Sequence, residues 1–125
     1  MSGRRARREP PWRSLAAFWL VAGTMHFVRP RFYDAIMPRA LRRWARPITY
    51  ASGVAELAGG AAVLHPHTRG LARWWLLATL AAVYPANVEM VLRPERFPQI
   101  PRWALCARLP LQFLAAWHAW RGTAR

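Results

Sequence analysis

Four apolar segments bounded by arginine and tryptophan make up most of this chain, and each carries side chains that hydrocarbon rejects. These are His26 in the first, Glu56 in the second, Asn87 with Glu89 in the third, and Arg108 with Gln112 in the fourth. The combination leaves few folds open. A chain of 125 residues has room for one core. A charged group at bilayer depth costs at least ~2.5 kcal/mol, so it is paired, solvated inside a bundle, or functional.

The net charge of +14 comes from nineteen arginines, no lysine and five acids. Such a balance suits phosphate-bearing partners, either nucleic acid or lipid headgroups. Its distribution favours lipid. Arg13, Arg29, Arg31, Arg73 and Arg121 bracket the apolar runs, and Trp12, Trp44, Trp74, Trp75, Trp103 and Trp120 lie at or near segment ends, where rings anchor at headgroup level. No nucleic-acid partner is expected, because only the N-terminal arm would supply one and no known binding module is present. The longest uninterrupted runs, 14–28 and 74–88, are each ~22 Å long as helices. Arginine snorkelling can supply the missing length. A soluble basic bundle is the alternative, and eight tryptophans with so few acids make it the poorer reading.

The expected fold is therefore all-α: a polytopic membrane four-helix bundle over 14–121, with helices at about 14–28, 47–64, 71–92 and 103–120. Residues 1–13 read as a basic, disordered arm before a first helix that is retained rather than cleaved. An even number of spans puts both termini on one side. Arginine counting ties between the two sides, and the basic block before the first helix points to termini in the cytoplasm of a prokaryotic cell, with the chain in its plasma membrane.

The two long connections are alike. Val28-Arg-Pro-Arg-Phe32 with Ile36 and Pro38 echoes Leu92-Arg-Pro-Glu-Arg-Phe97 with Ile100 and Pro101. Two copies of a helical hairpin would place a site between the halves, although Arg-Pro after a helix is also ordinary punctuation.

Counting from the far-side helix ends puts His26, Asn87 and Arg108 roughly 5–9 Å deep, and Glu56 and Gln112 about 13 Å deep, all in one half of the membrane. Ser52, Glu56 and Gly60 form a stripe with Gly53 and Gly59 beside it, so Glu56 lies on a small-residue face. Arg108 and Gln112 form a second stripe, and Glu56 with Arg108 is the expected ion pair. Asn87 and Glu89, ~200° apart around a helix, cannot both face inward; Asn87 is the expected inward residue, and Glu89 the one that meets headgroups or a far-side arginine. Pro85 and Pro110 should free the carbonyls of Ala81 and Cys106 near this cluster. Cys106 is the chain's one cysteine, which excludes an intrachain disulfide and reads as small packing. No metal site is expected, because His65, His67 and His118 make a weak pattern far from His26.

His26, Glu56, Asn87, Arg108 and Gln112 are thus the candidates for ligand binding or proton handling. Interhelical hydrogen bonding is the bland alternative for each. The catalytic residues are unknown, and the chain reads as a non-catalytic subunit rather than a stand-alone enzyme.

Gly23-Thr-Met-His-Phe27 with Pro30, Ser52-Gly-Val-Ala-Glu56, Pro66-His-Thr-Arg69, Pro85-Ala-Asn87 with Met90, and Arg108-Leu-Pro-Leu-Gln112 together resemble the DoxX family of small membrane proteins, over about 18–120. The resemblance implies a four-helix membrane bundle acting as a subunit or accessory factor of a quinone-linked redox complex. It implies no intrinsic cofactor, a bound quinone at most, and other membrane or redox proteins as partners beside the bilayer itself. A non-enzymatic membrane scaffold and a small proton-coupled transporter are the other readings.

Overall fold

The structure, a computed structural model, describes residues 11–98 and 100–124. These form five helices and two 3-10 turns, with no strand among the described residues. In order they are α1 (Pro11–Val28), α2 (Pro30–Ala35), a 3-10 turn at Arg39–Trp44, α3 (Ala45–Val63), α4 (Pro66–Leu92), a 3-10 turn at Pro94–Arg96, and α5 (Arg102–Gly122). The fold is all-α. Its four long helices pack in a ring: α1 on α3, α3 on α4, α4 on α5, and α5 back on α1.

Local chemistry explains the helix ends. Pro66 opens α4, and His65 caps it by accepting from the backbone N–H of His67 at 3.1 Å, so the helix starts at Pro66 rather than at Leu71. Thr68 and Arg69 then reach back to the last carbonyls of α3, at Ala62 (2.6 Å) and Val63 (2.8 Å). The expected arm at 1–13 lies mostly outside the described residues; Pro11, Trp12 and Arg13 belong to α1 because proline is well placed in a first helical turn.

The two long connections repeat their backbone as well as their sequence. Arg29 (φ −131°, ψ 61°) and Arg93 (φ −130°, ψ 61°) leave their helices with the same dihedrals, each held out of the helical region by the proline that follows. Pro38 (φ −54°, ψ 144°) and Pro101 (φ −58°, ψ 142°) match in the same way before the next helical segment. The bundle thus consists of one hairpin from α1 and α3 and a second from α4 and α5.

Apolar residues close the bundle at both ends. Leu15, Ala16, Trp19, Val63, Ala72, Leu76 and Ala119 pack together at the end holding the termini, and Ile36, Met90, Phe97 and Leu105 pack at the other. Between them α1 and α3 come into backbone contact distance. A Cβ on Gly23 would lie 2.9 Å from the Leu57 nitrogen and 3.0 Å from the Gly53 carbonyl oxygen.

Among the described residues one helix, α4, is long and apolar enough to cross a membrane by length and composition, with a mean hydropathy of 1.4 in the qualifying window, 17% of which is buried. The other long helices carry arginine, histidine or glutamate together with glycine, which lower their hydropathy. Cys106 is exposed rather than packed in the interior.

Candidate functional site

Between the two apolar ends lie the five polar residues, in two groups. His26 and Glu56, both buried, face each other across the α1–α3 contact, with His26 Nε2 against Glu56 Oε2. The two atoms touch without the alignment of a hydrogen bond, since Oε2 has no hydrogen-bond partner among the described residues. His26 Nδ1 lies 3.0 Å from the Thr49 carbonyl oxygen. A carbonyl can only accept, so Nδ1 carries a proton and Nε2 is the nitrogen offered to Glu56. Tyr33 from α2 stacks on the imidazole at 3.8 Å between ring centroids and 17° between planes, holding the ring in place. Burial holds the Tyr33 phenol above its ordinary pKa; the Glu56 charge acts in the same direction and the Arg108 charge against it.

The second group ties α5 to α4. Arg108 Nε donates to Asn87 Oδ1 at 3.2 Å, Asn87 Nδ2 donates to Gln112 Oε1, and Gln112 Nε2 donates to the Leu80 carbonyl at 2.8 Å. That carbonyl lies one residue before Ala81, the one expected to be freed by Pro85. Both amides have their oxygens and one N–H engaged, which makes them primarily interhelical links. Glu89 turns outward, with Arg96 Nη1 at 2.7 Å and Arg93 Nε at 3.6 Å.

The expected Glu56–Arg108 ion pair is not formed; Glu56 pairs with His26 instead. The reason is geometric. Side chains on a helix tilt towards its N-terminus. In the antiparallel α1 and α3 those tilts point at each other, carrying the deeper Glu56 up and the shallower His26 down. The close approach at Gly23 and Gly53 then brings them into contact.

Glu56 and Arg108 nevertheless share a cavity of about 220 Å³ lined also by Trp19, Asn87, Gln112 and the apolar Phe18, Leu80, Val83, Leu111 and Ala115. Its walls come from both hairpins. A second, more apolar cavity of about 450 Å³ is lined by His26, Tyr33, Thr49, Ser52, Thr79 and Val83, among others. His26 thus lines the larger cavity and its partner Glu56 the smaller.

The sequence reading missed Trp19, Tyr33 and Thr49. Trp19 is 2% exposed and its Nε1–H is buried without an acceptor. The signal was present: Trp19 sits inside its apolar segment rather than at an end, where an indole N–H needs a partner.

A family model described as "Domain of unknown function (DUF8561)" matches residues 15–123. The chain belongs to this family. The DUF8561 match spans both hairpins and takes in every residue that lines the smaller cavity. No curated protein and no solved structure matches the chain. Among the described residues, no group of three or more histidine, cysteine or acidic side chains is placed to hold a metal.

Proposed function

We propose that this DUF8561 chain is a small multi-pass membrane protein that binds a small polar ligand, such as a quinone headgroup, between its two hairpins, as a subunit or accessory factor of a membrane redox complex. The observation that carries the ligand site is the interhelical cavity lined by Trp19, Glu56 and Arg108, in which the terminal Arg108 nitrogens have no partner among the described residues. Likeness to the DoxX motifs supports the redox setting, and the bilayer reading rests on the outward faces. Val21, Leu71, Trp103, Phe113, Leu114 and Trp117 are all more than half exposed, far more apolar surface than a soluble monomer of this size leaves uncovered. Arg108, on the wall of the cavity, forms no ion pair among the described residues. Any electron transfer would be supplied by a bound quinone or a partner subunit.

In membrane fractionation the chain is expected to sediment with the membranes and to be released by mild detergent but not by high salt. Recovery in the supernatant without detergent overturns the membrane reading. Organic extraction of the full chain purified in mild detergent should yield a stoichiometric quinone or other small polar lipophile. Arg108→Met should leave the chain folded and lose that molecule. An empty wild-type extract counts against the redox setting.

A second reading has its own support. The Arg108–Asn87–Gln112–Leu80 chain of hydrogen bonds is the arrangement of a scaffold held together by its polar core. On that reading Arg108→Met lowers the yield of folded protein with no bound molecule to lose.

A further inference from the structure

Charge in the smaller cavity does not balance. Arg108 is partly buried and forms no ion pair among the described residues; its one described hydrogen bond uses Nε, and its other contact is with the face of Phe32, 6.0 Å away. The terminal guanidinium nitrogens have no described partner. The described acids near enough to matter are engaged elsewhere: Asp34 by Arg46 and Thr49, Glu89 by Arg96, and Glu56 by His26. The Glu56 carboxyl is turned to the His26 imidazole rather than to Arg108. The Arg108 charge is then left without a counter-ion. An uncompensated cation in a low-dielectric site is costly, and the Trp19 side chain lines the same cavity.

Resting on the reading of this cavity as a ligand site, we infer that its ligand is a small organic monocarboxylate, whose oxygens take the free Arg108 nitrogens and whose body meets the Trp19 side chain. One negative charge balances the site, and two carboxylate oxygens match the planar donor set of a guanidinium. A phosphate or sulfate fits less well: it brings more charge than one arginine offsets, and it leaves Phe18, Val83 and Leu111 facing a hydrated anion. Those residues suit the hydrocarbon body of an acid. Size agrees, since a cavity of ~150 Å³ holds a benzene molecule and this one measures about 220 Å³.

The test is calorimetric titration of the full chain in detergent micelles with benzoate, with its neutral isostere benzamide, and with a short-chain benzoquinone, each corrected against empty micelles. Wild-type protein should bind benzoate saturably and at least about tenfold more tightly than benzamide, the size of one lost charge-assisted contact. Arg108→Met should bring benzoate down to the benzamide level. Benzamide binding as tightly as benzoate overturns the proposal even if that variant does not fold, because the comparison needs only the wild type. Benzoquinone binding with benzoate excluded overturns the anion while leaving the ligand site standing. Binding of none of the three overturns both.

Discussion

His26→Leu is expected to lower the unfolding free energy of the detergent-solubilised chain by about 3–5 kcal/mol, the range for removing one partner of a buried ion pair. Both members are buried, with side chains 8% and 10% exposed, so solvent screens the loss little. The reverse change, Glu56→Leu, should cost less, about 1–3 kcal/mol, because it leaves an unpaired imidazole nitrogen rather than an unpaired charge. The imidazole Nδ1–H keeps the Thr49 carbonyl in that variant. Combining the two substitutions should recover most of the stability, since nothing polar then remains unmatched. Denaturation of the two single variants and the double variant closes the cycle. Additive losses would falsify the pairing of His26 with Glu56.

The second large effect is expected at the α1–α3 crossing. Gly23→Val should prevent recovery of folded protein, and Gly23→Ala should cost about 1–3 kcal/mol through overpacking. The new Cβ would meet Leu57 Cγ at 2.8 Å, the Leu57 nitrogen at 2.9 Å and the Gly53 oxygen at 3.0 Å. Two of these atoms are backbone within helices and cannot turn aside as a side chain would. Gly70 supplies the control. A Cβ there meets nothing within 4 Å, so Gly70→Ala should be neutral or stabilise by up to ~1 kcal/mol through helix propensity. Equal midpoints for Gly23→Ala and Gly70→Ala would remove the argument that close approach requires glycine at position 23.

Much of the helical layout is legible in the residues themselves. Apolar segments punctuated by Arg-Pro and by His65-Pro66 mark where the long helices stop and start, and the echo between the two connections points to a repeat that the matching dihedrals at Arg29 and Arg93 now express in backbone. The candidate site is legible as a location. Residues 26, 56, 87, 108 and 112 do gather between the helices, with Asn87 inward and Glu89 turned to Arg96. Their pairing is not legible, because depth counted along straight helices ignores the opposed tilt of side chains on antiparallel neighbours. A single turn of tilt is enough to exchange Arg108 for His26 as the partner of Glu56. Trp19 is marked by its place inside an apolar segment, whereas nothing about Tyr33 points to a site until α2 folds back and stacks its ring on the imidazole.

The two hairpins contribute unlike parts to the cavity they enclose. Trp19 and Glu56 come from the first, with His26 behind them, and Arg108 and the amides come from the second. Room for a ligand is consequently a property of the seam rather than of either wall. That seam is pinned by contacts other than those lining the cavity: Trp75 Nε1 donates to the Ala55 carbonyl at 2.8 Å, and the α3–α4 turn is tied down by Thr68 and Arg69. Substitutions at those pins would widen or narrow the aperture as a whole. Relatives could in this way accept larger or smaller guests while every residue that touches the guest stays the same.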